Sequence, residues 1–232
     1  GIVGRSKIKW LRRTTLLRAH NERQEIVNFR NKYVYFSLHF EPERTTNPDG
    51  GQFHDQILAI ARLRSLVPSD IDIIVKEHPT QFYMADRGAN GRSAMFYDCL
   101  KNIQGVKLAS IRENSLKLIR NSVFTSTISG SAAFESAIVG KQALVFGDAW
   151  FNGCPNITLW NRTLSYQDMM LKKTSSANKI IKYLLTQKSL YCVPGCLNPS
   201  SQKRNVAYLQ DSFFESEFRG VSHLLETFFS KI

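Results

Sequence analysis

The chain has 232 residues, enough to bury one full core with a tail or part of another domain. Hydrophobic residues make up 43% and charged residues 22%, the balance of a globular protein, not of a disordered or fibrous one. The net charge is +12, no apolar run is long enough to span a bilayer and no signal-peptide h-region opens the chain, so a cytoplasmic protein is expected, with an anionic membrane surface as a possible peripheral contact.

Residues 1–30 carry eight basic residues against two acidic ones, or +6 of the total. The segment reads as one or two polar helices with Ile8, Leu11, Ile26 and Phe29 as contacts, a lead-in or linker over 1–32. It could touch an anionic polymer or lipid, or simply be a solvated helix. No helix-turn-helix, zinc finger or aromatic RNA-binding signature accompanies the charge, and no specific nucleic-acid partner is expected. The chain begins with Gly and reads as a piece of something longer.

Tyr33 to Leu38 is aromatic and β-branched, a buried first strand. His39, Glu41 and Arg44 follow it, either as a salt-linked turn or as part of a site. Asn47-Pro48-Asp49-Gly50-Gly51 is strong turn chemistry. Phe53 to Leu66 has Ile57, Leu58 and Ala61 at helical spacing and stops at Pro68. Ile71 to Val75 is the second strand, ended by Lys76-Glu77-His78-Pro79. Residues 80–96 are polar and rich in Gly, Arg and Asn, and read as a mobile excursion. Val106 to Leu108 is a short strand and Asn114 to Asn121 a helix.

Val123 to Gly147 is the most organised stretch. A strand to Ser126, a loop of small residues through Ser129-Gly130-Ser131, a helix over Ala132 to Val139, Gly140 as its C-cap and a strand over Ala143 to Phe146 make one βαβ unit. The loop sets backbone N–H groups at a helix start, where phosphate is stabilised, with Glu135 one turn in. Trp150 and Phe151 read as core or rim packing. Ala177 to Gln187 is helical, and Gln202 to the end carries one or two more helices. Cys192 and Cys196 lack a second pair or His partner at metal-site spacing, so ordinary thiols are expected.

The alternation implies an α/β fold with a doubly wound, Rossmann-like parallel sheet over 33–165, with C-terminal helices over 166–232 packing on it. Ligands bind such sheets outside the carboxyl ends of the strands. The polar clusters at His39 to Arg44, Lys76 to His78, Ser126 to Ser131 and Asp148 all follow strands, so one sheet edge should collect them.

The stretches YVYFSLHFEPERTTNPDGG, DIIVKEHP and TSTISGSAAFESAIVGKQALVFGDAWF resemble the capsule polysaccharide biosynthesis family, which includes β-Kdo glycosyltransferases of bacterial surface glycans. The likeness covers about residues 33–152. It implies a GT-B architecture, this chain being the C-terminal, donor-binding half. It implies a transferase that moves a sugar such as Kdo from a CMP-activated donor to a glycan or glycolipid acceptor. His78 would meet the phosphate as the catalytic residue. Lys76, Ser129, Gly130 and Ser131 would help hold the donor, and Glu135 would accept from ribose hydroxyls. Lys76 could instead be a snorkelling surface lysine. The carboxylate that deprotonates the acceptor would lie in an N-terminal domain. No metal-binding Asp-x-Asp motif is read among these elements, so no cofactor and metal independence are expected. A wall-polymer-type glycerophosphotransferase and a non-catalytic glycan-binding module are the alternatives.

Overall fold

Tyr33-Val34-Tyr35-Phe36 is apolar at every position, without the alternation of a half-solvated strand. In the computed structural model it forms β2 (Tyr33–Ser37), buried along its length except at Ser37 because it lies mid-sheet with both faces covered. The structure describes residues 2–43, 45–83 and 88–191, without the side chains of residues 2–7, 9, 89 and 188–191. Arg44, Cys192, Cys196 and the helices expected after Gln202 lie outside the described residues.

β2 pairs in parallel with β3 (Asp72–Lys76) on one side and β5 (Thr125–Thr127) on the other, Tyr33 lying opposite Asp72 and Tyr35 opposite Thr125. Beyond β3 come β4 (Val106–Ala109) and the two-residue β1 (Gln24–Glu25). Beyond β5 come β6 (Ala143–Val145) and β7 (Ile157–Leu159). All seven strands are parallel, in the order β1-β4-β3-β2-β5-β6-β7. The chain walks outward from β2 to β4 and then returns to β5 on the other side of β2. The topological switch point therefore lies between the carboxyl ends of β2 and β5.

The two sheet faces hold different helices. Val34, Phe36, Ile73 and Val75 pack with α1 (Ile2–Arg23), α2 (Gln56–Leu66) and α5 (Ala94–Asn102). Tyr33, Tyr35 and Ile74 face the other way, onto Leu118 and Ile119 of α6 (Ser115–Asn121). The βαβ unit is completed by α7 (Ala132–Ile138), closed at Gly140 in the left-handed region (φ 78°), as its C-cap position requires.

Several local expectations shift. The basic lead-in is one long helix, but Ile8 and Leu11 are about half exposed and Ile26 almost fully so; Leu16, Ala19 and His20 are the buried contacts. The His20 ring stands edge-on to Phe82 and Tyr97, and Arg23 Nε donates to Asp98 at 2.6 Å. With β1 at the sheet edge, residues 2–25 are thus part of the sheet unit, not a free linker. In α2, capped by Asp55, the buried side is Gln56, Ala59, Ile60 and Leu63, one residue out of phase with the expected Leu58, which is exposed.

The supposed mobile excursion over 80–96 contains α3 (Thr80–Tyr83), α4 (Gly88–Gly91) and the start of α5. Phe82, Tyr97 and Leu100 anchor it in the core, and its polar Arg92 is buried by ion pairing. α8 (Tyr166–Leu171) has a Ser165–Asp168 capping box, and Met169 and Ile180 are buried. One compact unit runs to Ile180 and a second begins at Ile181, whose described part is the remainder of α9 (Ala177–Tyr191). No helix among the described residues is long and apolar enough to cross a membrane.

Candidate functional site

A cleft of about 450 Å³ opens over the carboxyl ends of β2, β3 and β5, at the switch point. That is within the usual range for small-molecule sites. It is lined by His39, Lys76, His78, Ser129, Gly130, Ser131 and Glu135, all named from the sequence, and by Trp150 and Phe151. The topology brings them together because each follows a strand of the same parallel sheet. Phe151 is buried, whereas Trp150 is 59% exposed, its ring braced against Phe134 and Phe151.

His39 is the hub of the floor. Its Nε2 accepts from the Ser129 N–H at 3.1 Å and lies 3.1 Å from Thr127 Oγ1. An accepting Nε2 leaves the proton on Nδ1, which meets Thr45 Oγ1 at 3.1 Å; that hydroxyl in turn donates to Glu43 Oε2 at 3.1 Å. Burial pushes the His39 pKa down to about 4, with His78 and Arg92 adding to the effect. His39 is therefore a neutral strut joining the loops after β2 and β5. Ser129 is committed too: its N–H goes to His39 and its Oγ donates to Thr45 O at 2.5 Å. Gly130 is demanded by space, since a Cβ there would stand 2.8 Å from Thr127 Oγ1 and 3.3 Å from His39 Nε2.

Lys76, Glu77 and His78 alternate across the sheet as strand residues do. Glu77 falls on the core face with Ile73 and Val75, where an unpaired carboxylate would be costly. Arg92 supplies the charge: Nε donates to Glu77 Oε2 at 2.9 Å, and one NH2 group bonds Glu77 Oε1 at 3.3 Å and His39 O at 2.9 Å. Tyr97 OH donates to Glu77 Oε2 at 2.9 Å, and burial together with this carboxylate raises the Tyr97 pKa far above its ordinary value. The second Glu77 oxygen accepts the His78 N–H at 2.9 Å. Arg92 and Tyr97 escape sequence reasoning, although the period-two pattern already places Glu77 in the core and so calls for a buried cation.

His78 sits exposed at the cleft mouth. Its Nδ1 accepts from the Thr80 N–H at 3.2 Å, which puts the neutral ring's proton on Nε2, an atom with no partner among the described residues. Desolvation by the cleft walls lowers its pKa, against the opposing pull of Glu77 and Glu43. Lys76, only 5% exposed, donates to Ser115 Oγ at 2.9 Å and makes no ion pair among the described residues. Burial lowers its pKa, opposed by Glu113 and Glu77. Glu135 is exposed on the rim, and its Oε1 accepts from Ser131 Oγ at 3.1 Å.

Two sequence candidates fall elsewhere. Glu41 does not line the cleft: its Oε1 accepts from Gln56 at 2.8 Å and its N–H donates to Gln81 at 2.8 Å, so it braces the loop after β2. Asp148 lies in a neighbouring recess shared with Asp49 and Trp150. Arg44 is outside the described residues. Glu43, absent from the sequence candidates, does line the cleft. The chain also contains one Asp-x-Asp, Asp70-Ile71-Asp72, but Asp72 opens β3 at the end of the sheet away from the cleft and pairs with Lys107 at 2.6 Å. Among the described residues no group of three His, Cys, Asp or Glu side chains is placed to hold a metal.

Comparison with known proteins adds a family. No curated protein matches the chain. Solved structures that resemble it include two of KpsC from Thermosulfurimonas dismutans. The β-Kdo 2,7 transferase has 14% identity over 75% of this chain and 51% of that one, with a TM-score of 0.46. The β-Kdo 2,4 transferase has 14% identity over 75% and 53%, with a TM-score of 0.43. The UDP-GlcNAc 2-epimerase of Methanocaldococcus jannaschii has 16% identity over 73% and 49%, with a TM-score of 0.42. The chain spans about half the length of these proteins. The family model for capsule polysaccharide biosynthesis proteins matches residues 43–191, more than half of the 232 residues, and the chain belongs to that family.

Proposed function

We propose that the cleft binds a nucleotide-activated sugar by its phosphate, and that the chain is the donor-binding half of a GT-B glycosyltransferase of capsule polysaccharide biosynthesis. The donor in this reading is a CMP-activated acidic sugar such as Kdo, and the acceptor a glycan or glycolipid. The observation that carries it is the His78 Nε2–H at the mouth of the switch-point cleft, without a partner among the described residues. Family membership supports the same reading.

Sugar transfer leaves negative charge on the departing phosphate. A fixed N–H in a partly desolvated cleft stabilises that charge most where it is greatest, in the transition state. His78 takes the phosphate, Gly130 and Ser131 flank it, and Glu135 meets the ribose. The carboxylate that deprotonates the acceptor comes from a second domain. The reading is metal-independent, since cationic and N–H groups of the chain meet the charge.

Thermal shift with a nucleotide panel is the first test. CMP stabilisation is expected; stabilisation by CDP-glycerol alone would replace this reading with a glycerophosphotransferase, and no nucleotide response with a non-catalytic glycan-binding module. Calorimetry then assigns roles. His78→Ala should weaken CMP about ten- to a hundredfold while sparing cytidine, the loss expected for a hydrogen bond to a charged group. Glu135→Gln should weaken CMP and cytidine alike and spare the 2′,3′-dideoxy analogue. Unchanged CMP affinity in both folded variants would refute the site.

A further inference from the structure

The cleft contains two anion-seeking groups, and they are not equivalent. His78 is at the mouth, exposed, and offers one N–H. Lys76 is two residues earlier on the same side of the strand, about 7 Å deeper along the chain. Its side chain is almost wholly buried, yet its ammonium has a single hydrogen bond, to Ser115 at the start of α6, and no carboxylate partner among the described residues. Tyr35, Ser37 and Ser115 line the same cleft and bear hydroxyls, while Glu113, whose charge acts on the ammonium, makes no ion pair with it and lies 4.0 Å from Lys117 Nζ.

The only carboxylate next to it in sequence, Glu77, is turned to the opposite sheet face and neutralised by Arg92. A buried cation without an opposite charge paired to it is costly to maintain. An anion entering the cleft would remove that cost. The snorkelling alternative fails, because the ammonium end is held inward by Ser115, not carried out to solvent.

We infer that Lys76 and Ser115 form a second anion subsite on the cleft floor, separate from the phosphate position at His78, so that the cleft selects ligands carrying a second negative group beside the nucleotide phosphate. This rests on the function proposed above. Two chemistries fit: a carboxylate on the carbon that bears the phosphate oxygen, as in a sugar acid, or a second phosphate, as in a nucleoside diphosphate.

The test uses stable probes and calorimetry on the whole chain. The CMP diester of lactic acid carries a carboxylate on the carbon bearing the phosphate oxygen; the CMP diester of ethanol lacks it; CDP carries a second phosphate. Lys76→Met should weaken the lactate diester, or CDP, by about tenfold or more, the cost of one charge-assisted bond, while the ethyl diester changes less than about twofold. Loss on the lactate diester identifies a sugar acid as the donor class, and loss on CDP a diphosphate. Ser115→Ala, a milder change, should reduce the same ligand and no other.

Equal weakening of every ligand by Lys76→Met would merge the two subsites and overturn the inference. So would no weakening of any. If wild type binds CMP in a His78-dependent way and Lys76→Met has no effect, only this inference falls; if wild type binds none of the probes, the proposed function falls with it.

Discussion

Glu77 stands between an exposed histidine and the protein core, and its partners decide how firmly the cleft is held. One carboxylate oxygen fixes the His78 N–H while the other takes Arg92 and Tyr97. Removing one member of a buried ion pair strands the other, so Arg92→Met should cost about 3–5 kcal/mol of stability, with the Glu77→Gln/Arg92→Met double variant recovering part of it. Urea denaturation of the three variants measures this, and a double variant no better than the single would contradict it. His39 gives a pH signature. Its pKa is about 4 folded and ordinary when unfolded, so below the ordinary value the unfolded chain takes up the proton first. The stability it contributes is whole above about pH 6.5 and is lost as pH falls through about 4, about 3 kcal/mol in all. The fall in stability between pH 7 and pH 4.5 should be clearly smaller in His39→Gln than in wild type; equal falls would show that His39 is not the group responsible.

Among the elements, the loop between β5 and α7 has little room to change. A methyl at Gly130 would press on Thr127 and His39, the two side chains that join the loops. Gly130→Ala should therefore cost about 1–3 kcal/mol and weaken CMP binding together, because overpacking shifts the same loop that borders the phosphate position. A stable variant with wild-type CMP affinity would show that the loop relaxes freely. On the far side of the sheet, the buried side chains of α1 among the described residues are Leu16, Ala19 and His20, all in its C-terminal half. Leu16→Ala should cost about 2–5 kcal/mol, while Leu11→Ala, at an exposed position, should stay within about 0.5 kcal/mol. Thermal unfolding of the two variants compares them.

For the whole molecule, the strands were legible and their supports were not. β2, β3, β5 and β6 stand out as short apolar runs, and the rule that ligands bind at strand carboxyl ends collects Lys76, His78, Ser129 and Glu135 correctly on one edge. What escaped has a common cause. Arg92, Tyr97 and α5 sit in a stretch whose Gly, Arg and Asn content reads as loop, and only the buried charge of Glu77 gives Arg92 a reason to be inside. The phase of α2 slipped because Leu58 and Ala59 are both apolar, and tertiary packing, not periodicity, chose between them. The bond between His39 and Ser129 escaped because it joins loops separated by 90 positions. At this scale the proposed reading, with the acceptor carboxylate in a second domain, predicts that the chain binds a cytidine nucleotide yet transfers little sugar alone. Robust transfer by residues 1–232 would contradict the assignment of the acceptor carboxylate to another domain.

The most direct measurement is a crystal structure of the chain with CMP. The phosphate should lie within hydrogen-bonding distance of His78 Nε2, with the ribose toward Glu135. CMP bound away from the β2–β5 switch point, or seated there with its phosphate turned from His78, would contradict the account.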